Sequence, residues 1–234
     1  EAQQLQNIWD ALPDYGMEGD ALPVIDVSPS MTFETVSADS KITPLVAGLG
    51  LGTYLAQRNQ GRFKGHFMTF DDQPTLQKLE GDNIVETIQS LKRHDGAGYS
   101  TNIQAVFDCI LDSAKRAEDL PEYIYILTDC EFDDPSDHTF DGSTNHEVIK
   151  AKFDAAGFPM PKLVYWNLQR RLDGRVNNVA MKENDYGLVC SGFSPAMLEP
   201  VMQCEIISPR AIVEEALKPY DDVELPVDYI DFAS

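Results

Sequence analysis

The chain lacks any apolar run approaching the roughly 20 residues that a membrane-spanning helix needs. It also lacks a charged segment followed by an apolar stretch at its start, which is the pattern of a secretory leader. We therefore expect no membrane association. The expected location is intracellular and cytoplasmic, or the virion if the protein is viral.

Basic residues are scarce in this sequence. Only 18 Lys and Arg residues stand against 39 Asp and Glu residues, which gives a formal net charge of -21. Proteins that wrap a phosphate backbone normally present a basic face to it. Direct binding of nucleic acid is therefore not expected of this domain.

Cysteine and histidine are few and scattered. The cysteines form no CxxC pair, which argues against a zinc site or a thioredoxin-type motif, and we expect buried, reduced thiols. The histidines form neither an HxxxH nor an HExxH arrangement, so a metalloprotease centre is not indicated. The residues concerned are Cys109, Cys130, Cys190, Cys204, His66, His94, His138 and His146.

The sequence does contain an alternation of short apolar runs with helical patterns. Five runs rich in β-branched and aromatic residues predict strands, namely LPVIDV, GHFMTF, YIYILTD, KLVYWNL and GLVCSGF. Because these strands are apolar on both faces and separated by helices, they predict a doubly wound α/β fold with a mostly parallel central sheet and helices on both faces. We expect one domain over 21–205, preceded by a lead-in over 1–20 and followed by a C-terminal helix and acidic tail over 206–234.

Four helices between the strands are predicted from apolar spacing and end signals. One begins after Thr101 and another at the capping box Thr144–Glu147, ending at Gly157. Asp82 is the expected cap of a third. The fourth spans TPLVAGLGLGTYLAQ, in which we interpret Gly48, Gly50 and Gly52 as close-packing positions, because this glycine-rich stretch lies within an apolar helix and does not join a strand to a helix.

Oxygen-bearing side chains follow the first predicted strand in the stretch PVIDVSPSM. Asp26, Ser28 and Ser30 occupy alternate positions there, and Asp129 follows the strand YIYILT. Ligands of open α/β sheets bind beyond the carboxyl ends of the strands, so the two carboxylates are expected to meet at one edge. Thr101, at the start of a helix, can reach the same crevice. Hydroxyl and carboxylate oxygens suit a hard cation, Mg²⁺ first and Mn²⁺ or Ca²⁺ next.

These residues resemble the metal-ion-dependent adhesion site of von Willebrand factor A domains: a DxSxS motif, a threonine that opens a helix, and a TD pair that ends a strand. The resemblance implies that Ser28 and Ser30 bind the ion directly and Thr101 directly or through water. It implies that Asp26 and Asp129 act largely through water. Glu131 is a candidate to support these ligands.

Longer stretches carry a second resemblance. YSTNIQAVFD, ILTDCEFDD, YWNL and SGFSPAML look like the A-type domain of the domain-of-unknown-function 2828 group. The Ro-type (TROVE) RNA-binding proteins resemble the chain more distantly, through a TDCE-like stretch. Together these similarities cover residues 20 to 205.

Three functions remain open on this basis. The first, which we favour, is a non-enzymatic module that captures an Asp or Glu side chain of a protein partner through the cation, either alone or as part of a larger assembly. The second is a metal-assisted phosphoester hydrolase, although the DxDxT nucleophile motif and a general base are missing. The third is an RNA-associated module of a Ro-like particle, against which the net charge weighs.

Overall fold

The computed structural model describes residues 2–17, 19–33, 35–36, 40–70, 73–91, 102–129, 145–168, 187–191, 201–202 and 217–220. Within these ranges the chain forms one sheet with helices packed against it. The strands are β1 (Ala21–Ile25), β2 (His66–Thr69), β3 (Gln77–Lys78), β4 (Tyr123–Thr128), β5 (Lys162–Asn167) and β6 (Gly187–Ser191).

The six strands lie in the order β3-β2-β1-β4-β5-β6. All neighbouring strands pair in parallel except β3, which runs antiparallel to β2 at the edge of the sheet. The strand order therefore reverses between β1 and β4, as it does in doubly wound α/β folds. The predicted fold class and all five predicted strands are confirmed. β3 was not predicted from the sequence.

Five α-helices accompany the sheet in the part of the chain that the structure describes. They are α1 (Ala2–Asp10), α2 (Pro44–Arg58), α3 (Ile84–Leu91), α4 (Ile103–Ser113) and α5 (Asn145–Ala156). α1 packs against α3 and places Trp9 on the core, where the indole donates a hydrogen bond to Gln57 of α2 at 2.8 Å. No helix among the described residues is both long and apolar enough to cross a membrane.

Helices cover both faces of the sheet because successive strand residues point to opposite sides. In β4, Tyr125 and Leu127 enter the core formed with α2 and α3. Ile124 and Ile126 enter the other core, formed with α4 and α5. Every residue of β4 is buried, which accounts for the uninterrupted apolar run in the sequence.

The glycines of α2 differ in their packing. A Cβ atom added at Gly52 would lie 2.5 Å from Cδ1 of Ile25, and one at Gly48 would lie 3.3 Å from Leu168, whereas nothing lies within 4 Å of the same position at Gly50. The interpretation as close-packing positions is therefore confirmed for Gly48 and Gly52. It is wrong for Gly50, which lies on another side of the helix.

Two further helix predictions can be compared with the structure. α3 is capped by Asn83, whose Oδ1 accepts a hydrogen bond from the Glu86 backbone at 3.1 Å, so the prediction of Asp82 as the cap is wrong. α5 ends at Gly157 as predicted, with φ of 74°. Thr144, its predicted cap, lies outside the described residues, as does most of the predicted C-terminal helix.

The cysteines in the described ranges are Cys109 and Cys190, and both are free. Cys190 lies in β6, and burial raises the pKa of its thiol to about 12. Cys109 is half-buried on α4, and burial raises its pKa as well. Thiols with raised pKa values stay protonated near neutral pH and are poor nucleophiles. These two positions agree with the expectation of structural thiols.

Candidate metal site at the carboxyl edge of the sheet

The carboxyl ends of β1 and β4 meet at the point where the strand order reverses. Ile25 pairs with Leu127 in the parallel register, and the Asp26 backbone donates a hydrogen bond to the Leu127 carbonyl at 2.8 Å. Asp26 therefore lies opposite Thr128, with Asp129 one residue further along. Both aspartates are buried, at 0% and 1% exposure. The prediction that they end neighbouring parallel strands is confirmed.

Hydrogen bonds from Ser28 and Thr128 hold both carboxylate oxygens of Asp26. Its Oδ1 accepts from the backbone of Ser28 at 2.9 Å, and its Oδ2 accepts from Oγ1 of Thr128 at 2.7 Å. Burial raises the pKa of this carboxyl group above its usual value of 3.8, and the negative charge of Asp129 adds to the rise. The hydrogen bonds from Ser28 and Thr128 act in the opposite direction and only partly offset the burial.

Ser28 and Ser30 present their hydroxyl groups side by side. Their Oγ atoms lie 2.9 Å apart, and Ser28 is only 7% exposed. A short 3₁₀ helix over Pro29–Thr32 holds this spacing, with the Met31 backbone donating to the Ser28 carbonyl at 3.2 Å. Met31 is fully buried and contacts α2 near Gly48, so the turn is anchored to the core.

The start of α4 lies at the same edge of the sheet. α4 leads through residues 114–122 to the first residue of β4, so its C-terminus is at the amino edge and its N-terminus at the carboxyl edge. Ile103, its first residue, packs in one core cluster with Phe70, which directly follows β2. Asn102 caps the helix by accepting a hydrogen bond from the Ala105 backbone at 3.1 Å. Thr101 itself lies outside the described residues, and its place in the site stays a prediction.

Glu131 also lies outside the described residues, so its supporting role stays a prediction. His66 begins β2, at the opposite edge of the sheet from Asp26, and its Nδ1 lies 3.0 Å from the Lys64 carbonyl.

Thr128 is the site residue that the sequence analysis did not single out. It is fully buried, and its hydroxyl donates to Asp26, so it fixes the orientation of that carboxylate. The sequence signal for Thr128 is the TD pair at the end of β4. Recognising it requires the register between β1 and β4, which places Thr128 directly across from Asp26.

The oxygen atoms of the predicted residues are of the type that binds a hard divalent cation. Adjacent ligands of an octahedral Mg²⁺ at about 2.1 Å lie about 3.0 Å from each other. The hydroxyls of Ser28 and Ser30 are hydrogen-bonded to each other with their Oγ atoms 2.9 Å apart, a separation that is also close to one edge of such an octahedron. No three His, Cys, Asp or Glu side chains come together as a metal-binding group in the described ranges. The predicted metal ligands would not form such a group, since they are two carboxylates and three hydroxyls.

Comparison with solved structures agrees with the fold. The crystal structure of the RO (RSR) protein from Deinococcus radiodurans superposes with a TM-score of 0.51 at 18% sequence identity, over 82% of this chain and 34% of that one. A similarity at this identity concerns the fold alone. The chain therefore has an α/β fold of the von Willebrand A or Rossmann-like kind.

Comparison with curated and family sequences identifies relatives. The "Uncharacterized protein L728" of Acanthamoeba polyphaga mimivirus is 29% identical over 227 residues, which cover 93% of this chain. The chain spans only 37% of the length of that relative. A family model matches residues 20–224. This family is different from the domain-of-unknown-function 2828 group that the sequence resembles. The chain belongs to the family described as a domain of unknown function, DUF7788.

Proposed function

We propose that this domain is a metal-dependent protein-binding module that captures an acidic side chain of a partner at the carboxyl edge of β1 and β4. The observation that carries the proposal is the pair of Ser28 and Ser30 hydroxyls, 2.9 Å apart beside the buried carboxylate of Asp26. The fold contributes the location, because ligands of doubly wound sheets bind where the strand order reverses.

Each residue has a distinct part in this proposal. Ser28 and Ser30 would bind Mg²⁺ directly, and Thr101 is proposed as a third hydroxyl ligand. Asp26 already accepts a hydrogen bond on each oxygen, so it suits a role through bound water and the orientation of Ser28. Asp129 would add the second negative charge. When bound, Mg²⁺ supplies a positive centre whose remaining coordination position accepts a carboxylate oxygen of the partner.

A bound cation would change the electrostatics of the site. Burial raises the pKa of Asp26, which means that the ionised form is disfavoured in the metal-free protein. A second carboxylate, that of Asp129, is almost fully buried one residue beyond the paired position. Buried charges are costly unless they are compensated. A divalent cation near the strand ends would favour the ionised form of Asp26.

Thermal melts with MgCl₂ or with EDTA test the metal site. Wild-type protein is expected to gain about 2.7 kcal/mol at a hundredfold excess of Mg²⁺ over its dissociation constant. Ser30→Ala should lose most of this gain, because it removes a direct ligand from a half-buried position. Thr32→Ala is the matched control, since Thr32 belongs to the same 3₁₀ helix but is exposed, and its hydroxyl donates to the Pro29 carbonyl at 2.7 Å.

Selection from a random peptide library tests the capture of acidic side chains. Peptides retained in MgCl₂ and released by EDTA should be enriched in Asp or Glu. Asp129→Ala should lose this pool. Identical wild-type melts in MgCl₂ and EDTA, or an EDTA-released pool without acidic enrichment, would refute the proposed function.

A further inference from the structure

Phe33 is the most exposed large apolar side chain in the described part of the molecule, at 78% exposure. A single exposed apolar residue is ordinary on a protein surface. The position of Phe33 is what distinguishes it, because it directly follows the 3₁₀ helix that carries Ser30.

The backbone holds Phe33 in a defined position although its ring is exposed. Its N–H donates to the Ser30 carbonyl at 3.1 Å, and its φ and ψ of -80° and -27° continue the helical turn. Met31 anchors the same turn in the core. Because the backbone is already ordered, only the side-chain torsions of Phe33 lose freedom when a partner covers the ring.

Phe33 and Ser30 share one side of the turn. Side chains three residues apart in a 3₁₀ helix eclipse each other, and three residues rise only about 6 Å along its axis. This spacing therefore places the Phe33 side chain on the side of the turn that carries Ser30, whose hydroxyl lies beside that of Ser28. A partner side chain bound at Ser30 would have its neighbouring residue within reach of the ring.

The net charge of the chain is a reason for the Phe33 ring to contribute to the choice of partner. The chain carries a net charge of -21, so an acidic partner is repelled over long distances. A partner that offers only a carboxylate would therefore have to overcome this repulsion in order to bind. Aromatic side chains at the centre of an interface are frequent sources of binding energy, because they bury a large apolar area.

We propose that Phe33 selects the sequence around the captured acid, so that the partner presents an Asp or Glu with an apolar residue one or two positions away. This inference rests on the proposed function and adds the class of partner. The occupant is an extended segment or loop of another protein. A segment rich in acidic residues alone is disfavoured, because it adds repulsion and offers no apolar group to the ring.

The test uses the same peptide library with wild-type protein, Phe33→Ser and a control variant. The wild-type pool released by EDTA should show apolar residues next to the acid. Phe33→Ser should keep the acidic enrichment and the stabilisation by Mg²⁺ but lose the apolar preference. Ile8→Ser is the control, because Ile8 is 64% exposed on α1, away from the candidate site.

Synthetic peptides from the wild-type pool make the test quantitative. Changing the apolar neighbour to Ser should weaken binding to wild type about tenfold and leave binding to Phe33→Ser unchanged. An acidic pool without apolar enrichment, or an enrichment that survives in Phe33→Ser, would overturn the inference but not the proposed function. Self-association that Phe33→Ser abolishes, with unaltered peptide selection, would overturn it too, by assigning the ring to contact between copies.

Discussion

Replacement of Gly52 by Ala is expected to destabilise the protein, although Ala is the better helix former. The added Cβ would lie 2.5 Å from Cδ1 and 2.8 Å from Cγ1 of Ile25. Cδ1 of Leu127, at 3.3 Å, limits the space on the other side. Ile25 is fully buried at the end of β1, so its side chain has no free volume into which it could turn.

Two opposing contributions decide the size of the effect. Overpacking in a close-packed core costs about 1 to 3 kcal/mol. Replacing Gly by Ala inside a helix gains about 0.5 to 1 kcal/mol. With the middle of each range, the net loss for Gly52→Ala is about 1 kcal/mol, which lowers Tm by about 2 to 4 °C in a protein of this size. Because Ile25 directly precedes Asp26, the stabilisation by Mg²⁺ should also decrease.

Gly50→Ala provides the matched control, since the same change two residues earlier in α2 meets no atom within 4 Å. It should gain about 0.5 to 1 kcal/mol. Urea unfolding followed by circular dichroism, with EDTA present so that no bound ion contributes, measures both variants. If Gly52→Ala were as stable as Gly50→Ala, the close approach of α2 to β1 would be refuted.

Two further predictions concern Asp26. Because burial raises its pKa above 3.8 in the folded protein, the stability that this group contributes is present below that pH and is lost as the pH rises through the folded value. Asp26→Asn should therefore be more stable than wild type in EDTA at neutral pH. The difference in stability should shrink as the pH falls toward 3.8. An Asp26→Asn variant that is less stable than wild type at neutral pH would contradict this expectation. Purified protein should also show no Mg²⁺-dependent hydrolysis of phosphoesters such as p-nitrophenyl phosphate. Asp26 is buried and both of its carboxylate oxygens accept hydrogen bonds, so it is not available as a nucleophile. Turnover that disappears in Asp26→Ala would refute the second expectation.

The fold class could be read from the sequence because each central strand is buried on both faces. That burial requires continuous apolar runs such as YIYIL, and the runs are visible without any structure. β3 could not be found in this way. It consists of Gln77 and Lys78, which have no apolar pattern, and it exists only through its pairing with His66 and Phe67 of β2.

The helix ends and glycines show a similar division. Asp82 and Asn83 are both good capping residues, and only the backbone path decides that Asn83 accepts the hydrogen bond from Glu86. Gly50 and Gly52 are equivalent in the local sequence. The rotation of α2 about its axis, set by packing on β1, turns Gly52 toward Ile25 and Gly50 away from it.

For the candidate site, the sequence alone determined which residue types stand at the strand ends, because Asp26, Ser28, Ser30 and Asp129 interrupt otherwise apolar runs where a buried polar group needs a partner. The tertiary structure decided which of them meet. Parallel pairing of β1 with β4 joins residues about a hundred positions apart, and its register places Thr128 opposite Asp26. No local pattern specifies that register, since it results from the packing of both faces of the sheet at once.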